Sequence, residues 1–300
     1  MSNVTTLSQG TPIIGRLAVI GLGLIGGSFA KGMRESGLCR EVIGCDLDPV
    51  ARRQAVPLGV VDSTTADLAE AVRGADLIML AVPVLGMRAV LAQLAAMDLG
   101  QAVMTDVGST KGAVALAVEE VFGRVPANFV PGHPIAGSEK SGVEAARADL
   151  FRHHKVILTP LEQTAKQAVA LVQSCWQALG ADVEQMSLAD HDEVLAATSH
   201  LPHLLAYTLV DTLARMAERT EIFAYAAGGF ADFTRIASSS PSLWADIVTA
   251  NHDAVLPVLD RYIGDLAAVR AAIADDDRDT LAATFLRAKT ARDGFAMRRS

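Results

Sequence analysis

The chain has 300 residues, long enough for two domains, and its 51% hydrophobic and 20% charged content belongs to a globular protein rather than a disordered one. A formal net charge of -8 argues against a general nucleic-acid or anionic-membrane surface, yet leaves room for a small anionic substrate held by a few local cations. The three cysteines, Cys39, Cys45 and Cys175, have no CxxC spacing and read as buried thiols of a reducing, cytoplasmic compartment.

Residues 1–15 read as a flexible tail, since "MSNVTTLSQGTP" has no basic stretch followed by an apolar core and does not resemble a secretory signal. From Arg16 onward, β-rich runs alternate with helical patterns. The candidate strands are "RLAVIGL", "EVIGCD", "DLIMLAVP", "AVMTDV", "NFVPG" and "KVILTP". They are almost continuously apolar, as strands buried on both faces are. The alternation predicts a doubly wound α/β domain with a mainly parallel sheet over residues 16–186. The longest apolar run, "RLAVIGLGLIGGSFAKG", is interrupted by glycines and ends in a lysine, so it is no membrane span.

The first strand leads into "VIGLGLIGGS", which places Gly21, Gly23 and Gly26 in GxGxxG spacing. The first glycine permits the turn, the second lets backbone approach a pyrophosphate, and the third packs helix on strand. A strand precedes this turn, a helix follows, and the next strand ends at Asp46, twenty residues after Gly26, where an acid binds the ribose hydroxyls. The expected cofactor is NAD rather than NADP, because the Asp46 charge repels a 2′-phosphate. Leu24 and Ile25 in the turn, and Val82 and Pro83 after the third run, complete the predicted Rossmann-type cofactor set. Arg52 and Arg53 are expected on the solvent face of the following helix.

Residues 165–180 predict one more crossover helix, and "ADVEQM" a last edge strand. From Ser187 no strand pattern remains, so residues 187–300 are expected to be all-helical. A long helix beginning at "LADHDEV" is expected to bend at Pro202. Further helices are expected around Ser240–Asn251, over Asp253–Ala274, and from Asp279 to the end.

Four stretches in this order, "DVGSTKG", "GHPIAGSEKSG", "TSHLPHLLA" and "GGFADFTRIASSSPSLW", resemble the prephenate and arogenate (cyclohexadienyl) dehydrogenases of tyrosine biosynthesis, and the resemblance runs from about Arg16 to the end. It implies oxidative decarboxylation of prephenate to 4-hydroxyphenylpyruvate, or of arogenate to tyrosine, with NAD as hydride acceptor. It further implies a homodimer formed through the helical domain. His133 matches the family's catalytic histidine, which accepts a hydrogen bond from the substrate hydroxyl as hydride departs. Ser109, which by position reads as a helix N-cap, acquires from the family a contact to that hydroxyl or to the nicotinamide. Arg235 matches the arginine that binds a substrate carboxylate, and His203 the substrate-side histidine. His200 supports it one helical turn away, Trp244 walls the pocket, and Glu139 gates its mouth. Lys111 reads as a surface or phosphate-side cation.

Without the resemblance, His133 is a solvated or structurally bonded loop histidine, Trp244 is core, and the pair His200 and His203 suggests a zinc site that lacks further ligands. Two other readings share the architecture. A β-hydroxyacid dehydrogenase needs a lysine on a helix of the second domain, where this sequence has only Lys289 near its end. A silent NAD-sensing protein would not need Ser109, His133 and Arg235 together.

Overall fold

The computed structural model of the chain describes residues 14–138, 140–216 and 222–297. Six parallel strands form the main sheet: β1 (Ile14–Ile20), β2 (Cys39–Cys45), β3 (Ser63–Thr65), β4 (Leu77–Leu80), β5 (Val103–Asp106) and β6 (Phe129–Val130). Their order is β3-β2-β1-β4-β5-β6. The connecting helices are α1 (Leu24–Glu35), α2 (Pro49–Ala55), α3 (Leu68–Val72), α4 (Val84–Ala95) and α5 (Lys111–Phe122). The strand order reverses between β1 and β4, and doubly wound sheets hold ligands beyond the carboxyl ends of the strands at that point.

The apolar runs have the cause that the sequence suggested. Along β1, Leu17 and Val19 enter one core with Phe29 and Trp176, while Ala18 and Ile20 enter another with Ile78, Leu80 and Leu91. Successive side chains point to opposite faces, so a strand covered on both sides has no polar position to spare. The edge strand β3 escaped sequence analysis because "STT" is short and polar.

"NFVPG" is not one strand. β6 ends at Val130, the chain leaves the main sheet at Pro131, and β7 (Gly132–Pro134) joins β8 (Lys155–Leu158) and β9 (Asp182–Gln185) in a second sheet. There β7 runs antiparallel to β8, and β9 runs parallel to it. The expected strands at "KVILTP" and "ADVEQM" therefore belong to this smaller sheet. The crossover between them is α6 (Lys166–Ala178), whose Trp176 is fully buried with Phe29 and Phe151, ring centroids 4.7 and 4.9 Å away.

Helices follow as expected at α7 (Leu188–Leu195), α8 (Leu201–Met216) and, after a short helix not anticipated, α9 (Gly228–Thr234), at α10 (Pro241–Ala250). Between α7 and α8 lies a turn of π-helix over Ala196–His200, just ahead of Pro202. Proline clashes with the carbonyl four residues back, here Thr198, and the wider turn falls where that clash arises. The first compact unit extends to His252 and a second begins at Asp253, so the sequence boundary after residue 186 falls inside the first. The second unit holds α11 (His252–Ala274) and α12 (Arg278–Met297). Between these helices Asp276 takes a left-handed φ of 52°, and the Asp277 carboxylate accepts the Thr280 N–H at 3.0 Å. Among the described residues, no helix is long and apolar enough to cross a membrane.

Candidate active site

The glycine turn is shaped by contacts that a side chain would destroy. Gly21 has φ +99°, and a Cβ there would lie 2.5 Å from the Ala81 carbonyl oxygen. A Cβ on Gly26 would lie 2.1 Å from the Gly21 oxygen. Gly23, by contrast, has nothing within 4 Å of its Cβ position, so its face is open. Gly23 caps α1 with no side-chain bond, and the N-terminal donors of that helix meet no capping side chain. Two closed glycines and one open glycine at a helix start make an anion cradle. Ala81 N–H donates to Ile20 O at 2.7 Å, which brings Val82 and Pro83 alongside this turn.

Asp46 closes the other side. It accepts the Leu22 N–H at 2.7 Å through one carboxylate oxygen and the Asp48 N–H at 2.8 Å through the other. Arg52 departs from expectation, because it turns back to donate to the Asp46 and Leu47 carbonyl oxygens at 2.6 and 2.9 Å. Arg53 is exposed as expected.

His133 sits on β7, 9% exposed. Its Nδ1 lies 2.9 Å from His191 Nε2, and His191 Nδ1 lies 2.7 Å from Asp192 Oδ1. The carboxylate of Asp192 also accepts the N–H groups of Lys111 and Gly112, each at 2.8 Å. These bonds dictate the tautomers. A carboxylate only accepts, so His191 Nδ1 carries the proton and its Nε2 offers a lone pair. His133 Nδ1 must then donate, which leaves His133 Nε2 as an acceptor. Burial disfavours a charged Asp192, but the bonds from His191, Lys111 and Gly112 together outweigh it and hold the group below the usual carboxylate range. Burial, followed by His191, Lys111 and His200, pushes His133 well below the ordinary histidine value.

The same bonds correct the expectation for Ser109. The N-cap of α5 is Thr110, with no side-chain cap bond, and the capping carboxylate comes from Asp192, 81 residues away from Lys111. Ser109 is half-buried in the loop just before that helix. Lys111 is not a surface cation either. It is fully buried, donating to the Asp106 carboxylate and, at 2.6 Å, to the Gly132 carbonyl oxygen.

His200 is 1% exposed, and Asn251 Nδ2 donates both to its Nδ1 at 3.1 Å and to Asp192 O at 3.0 Å. Burial moves His200 down to about 4, with Asp192 opposing and His191 and His203 assisting. His203 donates from Nδ1 to Ser199 O at 2.8 Å and stacks on Trp244, ring centroids 3.4 Å apart at 18°. Burial lowers the His203 pKa, the bond to Ser199 opposes that, and the Arg235 charge nearby adds to the lowering. Trp244 is thus a partner of His203 rather than anonymous core. Arg235 opens a 3-10 turn after α9 and is exposed. The structure therefore links His133, His200, His203, Trp244 and Arg235 through adjacent groups. Glu139 lies outside the described residues. Asp106, His191, Asp192 and Asn251 were not among the expected site residues. The first lies inside "DVGSTKG", but the other three carry no local signal.

Comparison with known proteins points to one family. The model described as "Prephenate dehydrogenase, nucleotide-binding domain" matches residues 29–185, and "Prephenate dehydrogenase, dimerization domain" matches residues 187–287. The chain is 41% identical over 281 residues to the cyclohexadienyl dehydrogenase of Zymomonas mobilis, covering 92% of this chain and 94% of that one. It is 37% identical over 291 residues to the prephenate dehydrogenase of Bacillus subtilis, covering 94% and 76%. The crystal structure of Aquifex aeolicus prephenate dehydrogenase in complex with hydroxyphenyl propionate and NAD+ superposes with a TM-score of 0.86 at 37% identity, covering 96% and 99%.

Proposed function

The chain belongs to the prephenate dehydrogenase family, and on that premise we propose that it carries out NAD-dependent oxidative decarboxylation of prephenate to 4-hydroxyphenylpyruvate, of arogenate to tyrosine, or of both, in tyrosine biosynthesis. The observation that carries this reading is the His133–His191–Asp192 chain, which leaves a buried, neutral acceptor at His133 Nε2. The ring carbon that bears the substrate hydroxyl loses its hydrogen as hydride, while the carboxylate on the opposite carbon leaves as carbon dioxide and the ring becomes aromatic. Bound NAD supplies the hydride acceptor. The hydroxyl proton stays on what becomes the phenol oxygen, and His133 stabilises the developing positive charge by accepting its hydrogen bond. Ser109 adds a contact to that hydroxyl or the nicotinamide. Arg235 forks onto a substrate carboxylate, with His203 held in plane by Trp244 and supported by His200. Mixing the protein with NAD and either prephenate or arogenate tests the reading. NADH absorbance should rise with at least one of them, and silence with both would end it.

The open face at Gly23 and the free start of α1 fit a pyrophosphate, and Asp46 fits ribose hydroxyls. Residues 16–186 are accordingly the NAD-binding part. NAD should outperform NADP in kcat/KM, and Asp46→Ala should narrow that gap by removing the charge that repels a 2′-phosphate. The same change should weaken NAD, since the Leu22 N–H loses its acceptor. Equal use of both cofactors by the unsubstituted protein would contradict the assignment.

Residues 187–300 are the substrate-binding and dimerisation part. Supporting this, α11 and α12 expose Ile273, Phe285 and Leu286 at 62, 60 and 64%. Large apolar side chains left exposed on both helices fit an interaction surface. Light scattering at micromolar concentration should give twice the 31.5 kDa chain mass, and a monomer mass would count against the dimer. Three free cysteines support a cytoplasmic location.

A further inference from the structure

Beneath His133 lies a salt bridge that neither sequence nor family membership explains. Lys111 and Asp106 have side chains 0% exposed. Burying such a pair brings little net stability over two apolar residues of similar size, so its presence asks for another reason. The backbone gives one. The chain changes sheets at Pro131, and β7 pairs with β8 in antiparallel register, Gly132 opposite Leu158. The ladder bonds run through the neighbours on either side: Thr159 N–H to Pro131 O at 3.0 Å and Ile135 N–H to Lys155 O at 2.8 Å. By the alternation of an antiparallel ladder, the N–H and C=O of Gly132 face away from β8. Both would be orphaned at a buried position. Instead Asp106 Oδ1 accepts the Gly132 N–H at 3.2 Å, and Lys111 Nζ donates to the Gly132 C=O at 2.6 Å. Asp106 Oδ2 also accepts the Gly108 N–H at 2.7 Å, the residue before Ser109.

We propose that Lys111 and Asp106 are positioning residues for the reaction: through Gly132 they fix His133, through Gly108 they fix Ser109, and they lock the two loops into one rigid unit. The proposal rests on the role given above to His133. A misplacement of His133 or Ser109 by a fraction of an ångström weakens bonds that matter only as hydride leaves, and so costs rate more than binding.

A second consequence is electrostatic. The groups facing His133 are His191 from α7, Lys111 from α5 and His200 from the π turn. Those facing Lys111 are Asp106 from β5 and Asp192 from α7. The Lys111 charge opposes protonation of His133. Removing it therefore raises the pH at which His133 protonates, and the acid limb of kcat/KM moves to higher pH.

The test is the charge-neutral double variant Asp106→Asn with Lys111→Met, which leaves no unpaired buried charge. It should fold, bind NADH as the parent does by fluorescence titration, and lose about tenfold or more in kcat, while Lys111→Met alone, which keeps the Asp106 carboxylate, should shift the acid limb upward. Unchanged kcat in the double variant with an unchanged limb in Lys111→Met would overturn the proposal, and so would weakened NADH binding with normal kcat at saturation, which would make Lys111 a cofactor cation. Gly132→Ala keeps the pair intact and covers the case of a double variant that does not fold. Its Cβ would lie 3.1 Å from Asp106 O and 3.2 Å from Leu158 Cδ2, so β7 must shift slightly. Its kcat should fall with NADH binding retained, and parental kcat would overturn the clamp. His133→Asn run alongside separates the two levels. If it too retains full kcat, the role of His133 fails; if it alone is impaired, only the clamp fails.

Discussion

His133→Asn is expected to lower kcat by about 10²-fold or more, to move KM little, and to abolish the acid limb of the pH profile. Asparagine reaches about as far as Nδ1 of the ring it replaces, so a bond toward His191 survives and the fold should be retained. What disappears is the acceptor at Nε2. That lone pair exists because Asp192 fixes His191, and His191 fixes His133, in a chain of bonds at 2.7 and 2.9 Å. An acceptor that matters chiefly as positive charge grows on the substrate appears in kcat rather than in KM. The direction of the pH effect follows from the burial. In the proposed role neutral His133 is the active form, and burial holds its pKa well below the ordinary histidine value. Activity should therefore persist below pH ~6.5 and fall only under more acidic conditions. Steady-state kinetics over pH, with the parent and the Asn variant side by side, decide this. Near-normal kcat in the variant, with the same acid limb, would make His133 a structural residue of β7.

The parts of the molecule that were legible in sequence are those whose physics is local. The glycine turn declares itself because Gly21 and Gly26 are excluded from carrying side chains by backbone only a few residues or one strand away. The α/β order declares itself because strands covered on both faces have no polar position. What was not legible depends on contacts made at long range. Nothing near Lys111 in sequence says that it is buried, since its partner carbonyl at Gly132 is 21 residues on and belongs to a different sheet. Ser109 looked like a cap because serine before a helix usually is one. The helix is capped instead by Asp192, which arrives with α7. The break at Pro131 was hidden for a similar reason, because an apolar run reads the same whether its strands share a sheet or divide between two. His191 lay in an ordinary amphipathic helix pattern, and only the fold sets it against His133. The family resemblance supplied the residues proposed to meet the substrate, but not the residues that hold them.

The complementary result is expected at Arg235. Arg235→Ala should raise KM for the substrate strongly and lower kcat less, the reverse of the His133 variant. Arg235 is exposed here, at the start of a 3-10 turn that follows α9. The end of that turn is anchored by the Tyr207 hydroxyl, which donates to Ser239 O at 2.7 Å. The charge of Arg235 reaches His203, which is itself stacked on Trp244, so a cation and a flat, oriented ring stand together. A dicarboxylate bound there would cover the guanidinium and engage it through two parallel bonds. Its carboxylate charge is present before and during hydride departure, so the interaction is nearly uniform along the reaction and belongs in KM. Truncating one partner of a covered, hydrogen-bonded charge pair costs about 2–5 kcal/mol, or roughly 30-fold to a few thousand-fold in affinity. Arg235→Lys keeps the charge but loses the fork, and should fall between the parent and the alanine variant. Saturation curves at fixed NAD measure all three. A loss confined to kcat, with KM unchanged, would mean that Arg235 acts on the reacting carbon or its leaving carboxylate rather than as a uniform anchor, and the division of labour between β7 and the helical part would have to be redrawn.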